Sequence, residues 1–239
     1  MNIIVVVRTR DEAHRIGKFC EAYKDADKII VADGGSIDNT VQIAKSYSNV
    51  ELHHYTKRVK LQGGYWRNND SDHANFLFGL AYSLSPDWVI FDDCDIRPNY
   101  LLKQDYIKIL KETDKDVVMA VRVYLWEKDQ YFPMLSSPLG ERLGQPSLWA
   151  WRGNLDLWTV DAFPHFSLRI GGKKVEDFRK SVKTLELFYP YCLLHYSWIT
   201  PELANAKVEY HHKSGLTPGM LHPTQFGGDL KPLEEWMRE

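Results

Sequence analysis

The chain has 239 residues, 44% of them hydrophobic and 26% charged, with a formal net charge of −2. That length buries a sizeable core in a single domain over 1–239, and the near-zero charge excludes a nucleic-acid binder held by a broad basic surface. Cys20, Cys94 and Cys192 are scattered, odd in number and without metal-type spacing, so reduced thiols in a cytoplasmic protein are expected.

The start, Met1 to Val7, is apolar but too short for a membrane span, and no basic n-region precedes it. No other run is long enough to form a transmembrane segment. Asn2 to Val7 is a β-branched run and predicts a buried strand. After Arg8-Thr9-Arg10-Asp11-Glu12, the spacing of Ile16, Phe19, Cys20 and Tyr23 predicts an amphipathic helix. Lys28 to Ala32 predicts a second buried strand, running into Asp33-Gly34-Gly35-Ser36-Ile37-Asp38-Asn39-Thr40. The glycines permit a tight turn with close backbone approach. Ser36 is the expected N-cap of the next helix, Asp38 suits its positive end, and Ile37, Val41 and Ala44 form its inner face. Val50 to His54 predicts a third strand. A polar stretch from Lys57 to Asp72 contains Arg67. Ala74, Leu77, Leu80 and Leu84 then mark a helix capped by Asp70 or Ser71.

Strand and helix alternate through this half, which implies a mostly parallel sheet with helices on both faces. Ligands on such sheets sit outside the carboxyl ends of the strands. Three polar clusters fall there: Arg8 to Glu12, Asp33 to Ser36, and Asp92 to Asp95. No Gly-x-Gly-x-x-Gly follows the first strand and no Gly-Lys-Ser/Thr occurs, so neither a dinucleotide fold nor a P-loop is supported. A nucleotide still fits, with Asp33 accepting a base N–H and cations near its phosphates.

The third cluster ends the apolar strand Asp87 to Phe91. Asp93 and Asp95 are two apart, so in extended chain their carboxylates leave the same side. A hard divalent ion bridging phosphate oxygens is the natural reason to place them together. An EF-hand fails, because Arg97 stands at a ligand position and Pro98 where glycine is needed. A haloacid-dehalogenase-type phosphatase fails at Arg97, where it has Thr or Val. The alternative is a solvated acidic turn with Asn99 capping the next helix.

The order and spacing of Arg8 to Glu12, Ala32 to Thr40, Arg67, Ala74 and Asp87 to Asp95 resemble glycosyltransferase family 2 over roughly the first half of the chain. The resemblance implies a GT-A fold, a nucleotide-sugar donor such as a UDP- or GDP-sugar, and Mn²⁺ or Mg²⁺. By it, Asp33 contacts the nucleobase, and Arg8, Arg10 and Arg67 lie around nucleotide and diphosphate. Asp93 serves donor and metal, and Asp95 holds the metal more directly. Asp11 departs from the family, which usually has Asn there.

In the second half, Leu102, Tyr106, Ile109 and Leu110 predict a helix, and Asp116 to Trp126 a long strand. Ser147 to Arg152 predicts another strand, with Trp149 and Trp151 on one face. Aromatic rings suit the C–H faces of a sugar, so these two are acceptor-side candidates, the alternative being an aromatic core. Glu176-Asp177 resembles the pair whose acid deprotonates the acceptor hydroxyl in inverting members; Asp156 and Asp161 compete for that role. His195 resembles a late His that completes the metal site, and imidazole suits Mn²⁺ better than Mg²⁺. His211-His212 falls near a helix end, where it is structural. Ser214 to Gly228 has the composition of a lid, and Leu230 to Glu239 of a short closing helix.

These expectations describe a metal-dependent, inverting glycosyltransferase of hexosyl or N-acetylhexosaminyl type. A donor half (1–115) precedes an acceptor half (116–239), and the acceptor is a saccharide or other hydroxyl. The alternatives are a sugar nucleotidyltransferase and a non-catalytic nucleotide- or carbohydrate-binding module of the same fold.

Overall fold

The structure, a computed structural model, describes residues 1–60, 66–68, 70–126, 130–132, 145–162, 165–170, 173–174, 182–196, 200–214 and 230–238. Strand β1 (Ile3–Thr9) is buried along both faces, as its β-branched run requires. Helix α1 (Ala13–Ala22) lays Ile16, Phe19 and Cys20 on one of them. Next come β2 (Lys28–Asp33), α2 (Thr40–Lys45), β3 (Val50–His54) and a hairpin of β4 (Arg58–Lys60) and β5 (Trp66–Asn68). Helix α3 (Asp70–Ser83) leads to β6 (Trp88–Asp93), and a turn at Cys94–Asp95 leads on to β7 (Ile96–Pro98). Pro98 ends that strand. Asn99 then accepts the Leu102 N–H at 3.1 Å and caps α4 (Tyr100–Glu112).

Strand β8 (Val117–Trp126) is the hub of the second half. It pairs with β9 (Gln130–Phe132), β10 (Gln145–Arg152), β14 (Thr184–Leu187) and β15 (Leu193–His195). Between β10 and β14 lie β11 (Leu157–Ala162), β12 (His165–Ile170) and β13 (Lys173–Lys174), a separate three-stranded sheet. Helix α5 (Pro201–Ser214) contains the His211-His212 pair. The end of the chain forms β16 (Lys231–Pro232) and one 3₁₀ turn, Glu235–Met237, in place of the expected closing helix.

In the main sheet β3, β2, β1 and β6 run parallel, and β10 and β8 continue it antiparallel. Ile3, Val5, Val7, Ile29 and Val31 pack with α1, α2 and α4 on one face. Ile4, Val6, Ile30, Ala32 and Val89 pack with α3 on the other. Each such valine or isoleucine side chain, fully buried, stabilises the fold by about 1.5–3 kcal/mol. From β1 the chain goes to β2 and β3 on one side, then returns through α3 to β6 on the other. The switch point of the sheet is therefore the crevice between β1 and β6, where open α/β sheets place their ligands. No helix among the described residues is long and apolar enough to cross a membrane. The three cysteines are buried free thiols, and burial pushes Cys20 and Cys192 up to about 12, so they are inert at neutral pH.

Three local expectations are corrected. Helix α2 begins only at Thr40, so Ile37 is not on its inner face but 95% exposed in the loop. Ser36 does not cap that helix; its backbone and hydroxyl turn back to Asp33. Trp149 and Trp151 do not share a face. The β10–β8 register shifts between Leu148 and Ala150, a bulge that inserts Trp149 as an extra residue. The extra residue inverts the alternation, so Trp149 enters the α1/α4 core and Trp151 the α3 core. Both are fully buried, and neither forms a sugar-binding wall.

Gly153 sits where β10 leaves the sheet. A Cβ there would lie 1.9 Å from the Pro86 carbonyl oxygen, a backbone atom. Gly153→Ala must therefore displace the Pro86–Asp87 turn that feeds β6. A loss of roughly 3 kcal/mol or more is expected in denaturant unfolding, and a change under 0.5 kcal/mol would show that the turn yields freely.

Candidate functional site

The loops at the carboxyl ends of β1 and β2 are stitched together by short polar side chains. Asp33 is fully buried and accepts the Gly35 and Ser36 N–H groups, each at 3.1 Å, and the Ser36 hydroxyl at 2.5 Å. His54 Nδ1 lies 3.5 Å from it. The carboxylate expected at the nucleobase thus builds its own turn, which Gly35 completes at φ +87°. Asp11 takes φ +54°, a conformation Asp tolerates better than most residues. It donates its N–H to Ser36 Oγ at 2.9 Å and accepts the Ile37 N–H at 2.8 Å. The residue that departs from the family pattern is therefore a brace between the two loops. Arg10 is exposed, with Nε 3.6 Å from Asp11.

At the switch point Arg8 and Asp93 are register partners on neighbouring parallel strands. Arg8 donates to Asp93 Oδ1 from Nη2 at 2.5 Å and from Nε at 3.1 Å, and its guanidinium lies 5.5 Å from the Phe91 ring centre. Asp92 faces the other way, into the core. It accepts the Tyr23 hydroxyl at 2.7 Å, and Tyr23 in turn accepts the Trp149 indole N–H at 3.1 Å. Burial pushes the Asp92 carboxyl up to about 8, so at pH 7 it is neutral and adds no charge to the site.

Asp95 and His195 come together from distant parts of the chain. Nε2 and Oδ2 are 3.3 Å apart, because β15 pairs with β7 and sets His195 opposite Ile96. The Tyr196 N–H donates to the Asp95 carbonyl at 2.8 Å, and the Arg97 guanidinium lies 3.9 Å over the Tyr196 ring. Arg15 reaches the Tyr196 carbonyl at 3.5 Å and pairs with Glu12 at 2.9 Å. Burial raises the Glu12 carboxyl, Arg15 opposes the rise, and Asp95 and Asp93 add to it. Glu12 therefore feels the same acidic cluster from the start of α1.

The expected metal set of Asp93, Asp95 and His195 is assembled only in part. No three His, Cys, Asp or Glu side chains among the described residues group to hold a metal. The chain turns at Cys94–Asp95 rather than continuing extended, so the two carboxylates take different partners. Asp95 and His195 do fit an ion. Two ligands at right angles on bonds of about 2.1 Å lie about 3 Å apart, close to the observed separation, and a carboxylate with an imidazole suits Mn²⁺. Arg67 lies on β5, paired with Val59, in the hairpin whose Arg58 reaches the Gly34 carbonyl at 3.5 Å. The Arg67 side chain falls outside the described residues, as do Glu176, Asp177 and most of Ser214 to Gly228. Asp156 is exposed and accepts the Trp158 indole N–H. Asp161 lies on β11, its side chain undescribed.

The site also contains residues that sequence reasoning passed over. Arg58 belongs to a hairpin whose only signal was the Arg58-Val59-Lys60 alternation. His73, on the first turns of α3, is buried against the Tyr55 ring at 4.4 Å and donates to the Ala32 carbonyl at 3.1 Å. Burial, with the Arg8 charge nearby, pushes His73 down to about 4. Its native form is neutral, so between pH 6.5 and about 4 the unfolded chain takes up a proton that the folded chain refuses. Stability from this group is complete above pH 6.5 and falls across that window, by roughly 3 kcal/mol in all. His73→Gln should flatten the unfolding free energy against pH there. Parallel profiles for the two proteins would refute the assignment.

No curated protein sequence matches the chain. Among solved structures, residues 1–349 of S. aureus TarS superpose with a TM-score of 0.54 at 16% identity, covering 95% of this chain and 69% of that one. Longer S. aureus TarS gives 0.45 at 17% identity, covering 67% of this chain. The chain spans 30% of that TarS structure and 50% of the TarS fragment in its nucleotide complexes. Glucosyl-3-phosphoglycerate synthase from Mycobacterium tuberculosis gives 0.36 at 20% identity, covering 52% of this chain and 44% of that one. The likeness to TarS 1–349 concerns the fold, and that fold is GT-A. The sequence model described as Glycosyl transferase family 2 matches residues 4–168, more than half of the chain. With all of β1 but Ile3, the Asp33 turn, α3 and the Asp93–Asp95 edge inside that span, the chain belongs to glycosyl transferase family 2 and has the GT-A fold.

Proposed function

We propose that this chain transfers a glycosyl group from a nucleotide-sugar to an acceptor hydroxyl, with inversion. The observation that carries the reading is that Arg8, at the switch point of the sheet, pairs with Asp93, two residues before Asp95, which itself faces His195. An anionic diphosphate is the ligand that needs both a cation and metal-type donors at one edge. Asp95 and His195 would hold Mn²⁺ or Mg²⁺, which supplies charge stabilisation at the leaving diphosphate. Arg8, Arg10 and Arg67 would contact nucleotide and phosphates, with residues 1–115 as the donor half and 116–239 as the acceptor half. A UDP-sugar is the first donor to test, since the TarS fragment is also described in complex with UDP and with UDP-GlcNAc. The sugar's class, hexosyl or N-acetylhexosaminyl, follows from which donor is consumed.

Thermal shift with UDP and GDP, with and without Mn²⁺, tests the donor site, because a ligand of the native state raises its melting temperature. A rise with one diphosphate that grows with Mn²⁺ is expected. No rise with either would sink the reading. Release of nucleoside diphosphate rather than pyrophosphate separates transfer of sugar from transfer of nucleotide. Asp177 is the proposed general base, with Glu176 beside it in sequence. Asp177→Asn should keep donor binding and lower transfer about 10²–10⁴-fold, and full activity in that variant would move the base to Asp156 or Asp161.

A further inference from the structure

We infer that Asp93 is not a ligand of the metal but the positioning residue of a resident cation, Arg8, which meets the donor diphosphate on the side opposite Asp95 and His195. The inference rests on the donor-site reading above and divides the labour within it.

Strand register builds the pair. Arg8 and Asp93 are Cα partners on parallel neighbours, so their side chains leave the same face of the sheet. That face is the α3 side, where Phe91 flanks the guanidinium. Both donations from Arg8 to Asp93 converge on a single oxygen, Oδ1. The Arg8 side chain is the more buried partner at 15% exposure, against 44% for Asp93. A part-buried guanidinium needs a fixed counter-charge, and Asp93 provides it from the adjoining strand.

A divalent ion on the same oxygen would sit within a few ångströms of the guanidinium. Two cations that close repel strongly at the dielectric of a partly buried site. Asp95 instead faces an imidazole, itself a metal donor. The planar guanidinium is also the cation best matched to phosphate oxygens, and it has donors enough to serve two oxyanions at once. Asp93 therefore aims Arg8, and the ion belongs to Asp95 and His195. One consequence is that nucleotide binding is only partly dependent on metal.

The test uses the whole chain, with Mn²⁺ alone followed by electron paramagnetic resonance, and with UDP and GDP titrated with and without Mn²⁺. Asp93→Asn should leave Mn²⁺ affinity within about two-fold but weaken metal-free nucleotide binding about ten-fold, as should Arg8→Met, with Arg8→Lys between. Asp95→Asn should do the reverse, losing Mn²⁺ while keeping metal-free nucleotide binding. This split is one that general destabilisation would not produce, and melting curves of each variant verify folding. If Asp93→Asn does not fold, Asp93→Glu, which keeps the charge on a longer arm, carries the same comparison. Mn²⁺ affinity falling as far in the Asp93 variant as in Asp95→Asn would overturn the assignment. So would metal-free nucleotide binding that the Asp93 and Arg8 variants leave unchanged. Wild-type protein that binds neither nucleotide under any condition would instead sink the donor-site reading, and this assignment with it.

Discussion

Asp95→Asn is expected to abolish Mn²⁺ binding and to lower transfer by on the order of 10²–10³-fold, with little loss of fold. Removing one charge-stabilising group from an active site has a cost of that size. An amide oxygen is a far weaker ligand than a carboxylate for a hard cation. The fold should survive, because the backbone contact at this position outlasts the substitution: the Asp95 carbonyl accepts the Tyr196 N–H at 2.8 Å. The side chain lies at the rim, 18% exposed, with His195 as its neighbour. The measurement is a Mn²⁺ titration beside a melting curve. An unchanged titration would move the ion elsewhere, and a collapsed melting curve would make Asp95 a structural residue. His195→Ala should weaken the metal titration and leave the imidazole-free protein folded.

Trp149→Ala is expected to destabilise the protein by about 3–5 kcal/mol, the range for deleting a large buried aromatic side chain. The indole is fully buried, and its N–H is the donor that the Tyr23 hydroxyl accepts. Tyr23 in turn donates to Asp92 in the core, so the truncation also loosens the polar chain beneath the β6 edge. Trp149→Phe keeps most of the volume and loses the N–H. It should be less harmful than the alanine and still leave the Tyr23 hydroxyl short of a donor. Had Trp149 formed an acceptor wall, the alanine would raise the acceptor KM at unchanged stability. Denaturant unfolding and acceptor kinetics on the same variant separate the two cases.

The first half of the fold was legible because its signals are local. A β-branched run such as Ile3 to Val7 is a buried strand whatever surrounds it, and such strands alternating with helices make a parallel sheet. Asn99 as the cap of α4 was legible for the same reason: a side chain and the N–H three residues on need no third party. The second half was less legible because its strands answer to β8 from far along the chain. β14 and β15 reach it as parallel partners after long excursions, and residue types do not encode such pairings. The bulge at Trp149 is invisible to period-two reasoning, since alternation assumes that no residue is extra.

The same division runs through the site. Residue type and order alone determined that acids and arginines would stand at the carboxyl ends of parallel strands, because chain reversals after buried strands put polar residues there. Only the tertiary structure decided who partners whom. Register, not spacing, joined Arg8 to Asp93, and β7–β15 pairing brought His195 to Asp95 from a hundred residues away. Burial made Asp92 a neutral core group although it stands next to Asp93 in sequence. Adjacent side chains on a strand leave opposite faces, and what waits on each face is set by elements remote in the chain.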